Sequence, residues 1–358
     1  MDYRAIPKAL LHDHLDGGLR VATVIELADE AGYPDLPSTD EEELTEWFHQ
    51  NESGTLELYL DSFRHTFGVM QTQDAIRRVA YEAGLDLASD GVVYGELRFG
   101  PSLHTFNGLS REDAIEAVLD GIDAASRETG IVLYAIASAL RQDTDSEEVA
   151  NAAVRFVGQG LVAFDLAGPE AGYPADDHEP ACRLAVEHGL GLTIHAGEAD
   201  GPDSMWRALS HCGAHRLGHG ARIVDDAVVK NGELGDLGSL ARRIRDHRVP
   251  LEVSITSNLH SGTFEPQIAH PFGALYHAGF NVSINTDNRL MSATTPSTEY
   301  RVAAEEFGLT ATDLGEITAN AIDAGFGDYP IRRRLIDEVV VPAYESVALS
   351  QSAISEST

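Results

Sequence analysis

Short apolar runs recur along the chain, each followed by a polar cluster and then by a stretch with helical spacing. The runs are Ala9–His14, Val92–Phe99, Ile131–Ala139, Leu161–Leu166, Leu190–His195, His215–Gly218, Val249–Ile255 and Val282–Thr286. Apolar segments this short, bounded by turn residues, read as strands. Between them, Ser110–Glu128 opens on Ser110 as an N-cap and spaces Ala114, Val118 and Ile122 along one helical face. Strand then helix, repeated about eight times, predicts an α/β fold of the (β/α)8 TIM-barrel type. A doubly wound open sheet is the alternative, because alternation alone does not say whether the sheet closes.

The first interval, from Asp16 to Val92, is much longer than the others and holds several helical stretches. It reads as a helical insertion over the barrel mouth. After the eighth run, Pro296–Phe307, Thr312–Ala324 and Ile331–Ser346 read as additional C-terminal helices. Residues 1–349 therefore form one barrel domain, and the polar tail 350–358 is expected to be disordered.

Composition narrows the function. The chain has 358 residues, with 25 Lys+Arg against 58 Asp+Glu and a formal charge of −33. That charge repels phosphate backbones and anionic lipid, so neither a nucleic acid nor a membrane is an expected partner. Cys182 and Cys212 are too few for a disulfide framework, although one bridge between them is compatible with the sequence. The N-terminus resembles neither a secretory signal nor a membrane span, and a cytoplasmic location is the expectation.

The chemistry lies at the C-terminal ends of the runs, where barrel enzymes build their sites. His12 and His14 stand two apart on the first strand, so they share a face. His195 ends the fifth run, His219 follows the sixth and Asp287 follows the eighth. Three imidazoles and one carboxylate, His12, His14, His195 and Asp287, suit Zn²⁺ with a position left for water; Fe²⁺, Mn²⁺ or Co²⁺ fit the same set. Glu198, in His195-Ala196-Gly197-Glu198, is placed to shuttle protons if its surroundings are partly dry. Phosphate-loop and nucleophile-elbow motifs are absent, as is the zinc signature of cytidine deaminases.

These pieces resemble the adenosine deaminases of the amidohydrolase superfamily. The likeness is carried by His12-Asp13-His14-Leu15-Asp16-Gly17, Asp165-Leu166-Ala167-Gly168, Thr193-Ile194-His195-Ala196-Gly197-Glu198, Leu217-Gly218-His219-Gly220, Thr256-Ser257-Asn258 and Asn285-Thr286-Asp287, in family order. Tyr94-Gly95-Glu96-Leu97-Arg98-Phe99 extends it. The resemblance implies one zinc ion on His12, His14, His195 and Asp287, with Glu198, His219 and Asp287 as the catalytic groups. In that scheme Glu198 protonates purine N1, and His219 orients or deprotonates the water that attacks C6. His14, Asp16, Gly168 and Asn288 match substrate-contacting positions, with Asp16 accepting from the ribose 5′-hydroxyl.

One departure is Asn288, where the family usually carries a second Asp that binds purine N7. An Asn has a permanent NH₂ donor and can serve an acceptor-only N7. The substrate reading is thus adenosine and 2′-deoxyadenosine, with adenine or a modified nucleoside such as 6-aminofutalosine as the alternative. An amidohydrolase or phosphoesterase on the same barrel is a second class, weakened because Lys8 and Lys230 are the only lysines available to bridge two metals. A purine-binding protein without catalysis is a third, and it predicts loss of a ligand or of Glu198. Phe63 and Phe67, in Leu58–Phe67, either line the ribose side of the pocket or pack as core.

Overall fold

The computed structural model describes residues 1–49, 56, 60, 62–230, 232–264 and 270–355. Its strands, in chain order, are β1 (Lys8–His14), β2 (Val92–Phe99), β3 (Val132–Leu140), β4 (Leu161–Ala167), β5 (Gly191–Ala196), β6 (Arg216–His219), β7 (Ala227–Lys230), β8 (Glu233–Leu237), β9 (Leu251–Val253) and β10 (Val282–Ile284). Eight of them pair in the order β1-β2-β3-β4-β5-β6-β9-β10, all parallel, and each expected run contributes one. The run Val249–Ile255 yields only three strand residues because Ile255 already begins the helix Ile255–His260.

The sheet closes on itself by an unusual seam. β10 ends at Ile284, and the next residues finish the barrel: Asp13 bridges Asp287, with the Asp287 N–H donating to His12 O (3.0 Å) and the His14 N–H donating to Asp287 O (2.7 Å). Lower down, the Asn285 Oδ1 accepts from the N–H groups of Leu11 (2.9 Å) and His12 (3.1 Å). A side chain thus satisfies backbone donors that a longer strand would have paired.

Helices cover the outside. Ser110 caps Arg111–Thr129 in a reciprocal capping box with Asp113, and Gly130 at φ 81° ends it. This helix lies against Gln73–Ser89, and the contact depends on Gly121, where a Cβ would meet the Arg77 carbonyl oxygen at 2.5 Å. The interval after β1 holds the helices Val21–Ala31, Glu41–Phe48 and Phe63–Val69 before Gln73–Ser89. The expected C-terminal helix Ile331–Ser346 is divided: Tyr329–Leu335, a π-helical turn at Ile336–Val340, then Val341–Ser355. That last helix takes in the first residues of the polar tail, and 356–358 lie outside the described residues.

The antiparallel pair β7–β8 was not anticipated; its side chains are largely exposed and leave no apolar run in the sequence. Cys182 and Cys212 are both buried free thiols. Among the described residues no helix is long and apolar enough to cross a membrane.

The lower barrel interior is ionic. Arg216 donates to Glu252 Oε1 (2.6 Å) and Glu96 Oε2 (2.7 Å), while Arg98 donates to Glu252 Oε2 (2.6 Å). Tyr94 and the Phe326 N–H both donate to Glu96 at 2.6 Å, and the Phe326 ring lies 3.8 Å below the Arg216 guanidinium. Buried charges survive only when paired and hydrogen-bonded, and each of these carboxylates has several donors.

Candidate active site

Strand ends deliver the polar residues. β1 carries His12 and His14, β5 carries His195, β6 ends on His219, and Asp287 follows β10 by three residues. His219 (φ 61°) and Asp287 (φ 58°) occupy the left-handed region, which costs a non-glycine residue about 1–3 kcal/mol. Both are buried, so the surrounding barrel holds them there.

The histidines are oriented from behind. His12 Nδ1 stands 3.1 Å from Glu252 Oε2, and His195 Nδ1 stands 3.1 Å from Asp165 Oδ1. A neutral imidazole carries one N–H, so donating Nδ1–H to a carboxylate leaves Nε2 as a bare acceptor. His12 Nε2 is buried with no hydrogen-bond partner. It lies 3.1 Å from Asp287 Oδ1, and His14 Nε2 lies 3.3 Å from that oxygen and 3.2 Å from His195 Nε2. Ser257 Oγ donates to the other Asp287 oxygen at 2.5 Å, leaving Oδ1 to the cluster.

Acceptors facing one another at such distances repel unless a cation lies among them. Metal–ligand bonds of about 2.0–2.1 Å in a tetrahedron require ligand atoms about 3.3 Å apart, close to what is found. The carboxylates behind His12 and His195 are the usual supports of metal-binding imidazoles. His219 is a further neighbour: donor atoms of His12, His195, His219 and Asp287 all lie within 4.8 Å of one another. Without a metal, burial and Arg98 push the His12 pKa down, but the carboxylates of Asp287 and Glu252, each 3.1 Å from a ring nitrogen, outweigh them and raise it. That proton is the one a cation would displace. The donor set therefore fits a single divalent metal.

Glu198 lies at the edge of this cluster, its Oε2 3.5 Å from His219 Nε2. Burial, followed by the negative charges of Asp287 and Glu170, raises its pKa well above the usual carboxylic range, which favours the protonated form. Burial also holds His219 well below the ordinary histidine value, hence neutral. A relay fixes its tautomer. The Phe272 N–H donates to His270 Nδ1 (3.2 Å), so neutral His270 carries its proton on Nε2 and donates to Asn258 Oδ1 (3.3 Å). Asn258 Nδ2 then donates to His219 Nδ1 at 2.9 Å, which leaves the His219 proton on Nε2, facing Glu198.

His14, His195, Glu198, His219 and Asp287 line a cavity of about 890 Å³, its open mouth included, together with Asp16, Gly168 and Asn288. Asp16, on the turn Leu15–Gly17, has its pKa pushed up to about 7 by burial, and its Oδ1 has no hydrogen-bond partner, with His14 Nδ1 3.9 Å away. Gly168 lies at φ 90°, a conformation that L side chains rarely adopt, and a Cβ there would come 2.5 Å from Gln142 Oε1. Asn288 packs its Oδ1 over Gly17, where a Cβ would fall 2.2 Å away. Phe63 and Phe67 both line the cavity, as do Leu56 and Leu60 from the inserted segment; Leu58 lies outside the described residues.

Every site residue expected from the sequence thus surrounds one cavity except His12, which lies buried beneath it. Sequence reasoning missed Glu252 and Glu170, and it gave no role to Asp165, Asn258 or His270. Glu252 sits mid-strand in Leu-Glu-Val, where a lone carboxylate looks like a solvent-facing residue; only the matching buried cations Arg98 and Arg216 reveal its direction.

Residues 7–342 match the model of the family described as adenosine deaminase. An adenosine deaminase of Mycobacterium tuberculosis is 46% identical over 350 residues, covering 96% of each chain. Among solved structures, a zinc-bound amidohydrolase from Burkholderia ambifaria superposes with a TM-score of 0.84 at 25% identity, covering 98% of this chain and 94% of that one. The adenine deaminase of Arthrobacter aurescens does so with 0.83 at 24% identity, covering 94% and 98%, which speaks to the fold alone. With its metal-type donor cluster, a buried acid beside it and this likeness across nearly its whole length, the chain belongs to the adenosine deaminase family.

Proposed function

We propose that this chain hydrolyses adenosine and 2′-deoxyadenosine to inosine and 2′-deoxyinosine with release of ammonia, using one zinc ion held by His12, His14, His195 and Asp287. The observation that carries the reading is a buried Glu198 carboxyl beside that donor cluster, 3.5 Å from His219 Nε2. When bound, zinc supplies the Lewis acidity that makes water nucleophilic near neutral pH.

The chain's own groups do the rest. Glu198 gives its proton to N1, which draws electrons from C6 and opens it to attack. His219 holds the incoming water through Nε2–H, the orienting option of the two the sequence left open, because Asn258 occupies Nδ1. Asp287 borders the water position and accepts a hydrogen bond there. As the C6–N6 bond breaks, one proton of the water leaves with nitrogen as ammonia and the other restores Glu198. Asp16 accepts from the ribose 5′-hydroxyl, Gly168 lets the base approach the backbone, and Asn288 donates to N7. Phe63 and Phe67 exclude water above the sugar.

A small purine nucleoside is accordingly the partner, the whole of residues 1–349 serves as one domain, and the cytoplasm is the place of action. The test is purified protein with one equivalent of zinc against adenosine, 2′-deoxyadenosine and adenine in parallel, read by loss of adenosine absorbance and by ammonia. Turnover of both nucleosides over free adenine is expected. Activity confined to adenine or to a modified nucleoside would transfer the assignment to that 6-aminopurine, with Asn288 as its determinant.

A further inference from the structure

Glu198 is borne on a loop, not on a strand, so something must hold it still. Gly197 turns this loop at φ 79°, where a Cβ would press within 2.7 Å of Met205 Sδ. The turn brings four successive backbone N–H groups to one point, an arrangement that elsewhere captures anions. Here the anion is internal. Glu170 Oε1 accepts from the Gly197 N–H at 2.7 Å, and its Oε2 accepts from the N–H groups of Glu198 (2.9 Å), Ala199 (2.8 Å) and Asp200 (2.9 Å).

Glu170 is 2% exposed, and among the described residues no Lys, Arg or His stands within ion-pair distance of it. The hydrogen bonds of its side chain all go to this loop. It also follows Gly168 by two residues, so a single short segment touches the purine side of the cavity and grips the loop of the acid. A buried carboxylate spending all its hydrogen bonds on four consecutive amides, one of them belonging to Glu198, is more than filler between β4 and β5.

We infer that Glu170 is a positioning residue for the reaction: by clamping the amides of 197–200 it fixes the Glu198 carboxyl in line with the purine nitrogen it protonates. This rests on the reading of Glu198 as the acid. A displacement of about 1 Å in such a group costs about 100-fold in rate. Glu170→Gln keeps the shape but turns an NH₂ toward amide donors, so one oxygen's share of the clamp is lost. Contacts to the sugar and N7, made by Asp16 and Asn288, stay as they are.

The experiment compares zinc-loaded wild type, Glu170→Gln, Glu198→Asp and the double variant, with KM, kcat, zinc content and melting temperature measured for each. Expected are a kcat for Glu170→Gln about 100-fold down, with KM within about threefold and one zinc retained. In the Glu198→Asp background the same change should cost less than in the wild type, because both act on one proton transfer. Unchanged kcat in Glu170→Gln overturns the inference, as do losses that simply multiply, or a fall in kcat that only tracks lost zinc. Should Glu170→Gln not fold, Glu170→Asp, which keeps the charge on a shorter stem, is put through the same cycle, with the same outcomes deciding. Full activity in Glu198→Gln would remove the reading of the acid itself; an inactive Glu198→Gln beside an unaffected Glu170→Gln removes this inference alone.

Discussion

The floor and the mouth of the barrel both hold polar and ionisable side chains that are almost all buried, yet they differ in what is left over. On the floor, Arg98, Arg216, Glu96 and Glu252 meet one another at 2.6–2.7 Å, and no carboxylate there lacks a donor. At the mouth, His12 Nε2, Asp16 Oδ1 and Asn288 Oδ1 have no hydrogen-bond partner, and burial raises the pKa of Glu198. Burial alone therefore does not mark a site. Atoms with no hydrogen-bond partner occur elsewhere too, the Arg98 Nε and Nη1 of the floor among them. What sets the mouth apart is unpaired acceptors gathered around one cavity, since an unmade hydrogen bond in a dry place costs about 1–3 kcal/mol unless something outside the chain completes it.

The contrast can be broken hardest at its two poles. Glu198→Gln should lower kcat about 10²–10⁴-fold, as expected for loss of a general acid, while zinc content and melting behaviour stay near wild type. Full turnover in that variant would place the acid elsewhere. On the floor, Glu252→Ala leaves two buried guanidinium groups and His12 unsupported. It should cost about 3–5 kcal/mol of stability in denaturant titration. A loss under 1 kcal/mol would mean that the floor is not held by its ion pairs.

Asp165→Asn joins the two regions, since Asp165 supports His195 from behind and accepts from Ser138 at 2.8 Å. Zinc affinity should weaken about 10–100-fold in a chelator competition, with the fold retained. The smallest effect is expected from His104, a buried histidine of the mouth that belongs to neither network. Its Nδ1 bonds to Met70 O, and burial lowers its pKa to about 4 from 6.5. The unfolded chain therefore binds the proton first as pH falls. Its contribution to stability is intact above pH 6.5 and drains away between 6.5 and about 4, by at most about 1.4 kcal/mol per pH unit. In His104→Leu the acid slope in that window should shrink by up to one proton.

Much of this was legible in the sequence, and the omissions have physical reasons. Apolar runs announced all eight barrel strands, because a strand covered on both sides must be apolar for most of its length. The pair Ala227–Lys230 and Glu233–Leu237 went unseen since an exposed ribbon needs no such pattern. His12, His14, His195 and Asp287 were singled out from their places at strand ends, and the structure brings their side chains together. Glu170 and Glu252 were not, and Asn258 stood only inside a motif without a role, because each contacts another residue of the chain, and only coordinates reveal a partner 27 or more positions away.

The seam between the first and last barrel strands has one more consequence. Asp287 ties the two edges with its main chain and turns its carboxylate to the histidine cluster. An ion bound there would act as a clasp on the circumference and link cofactor loading to barrel integrity. Amide hydrogens of His14 and Asp287 would then exchange with solvent fastest in stripped enzyme and slow sharply on reconstitution.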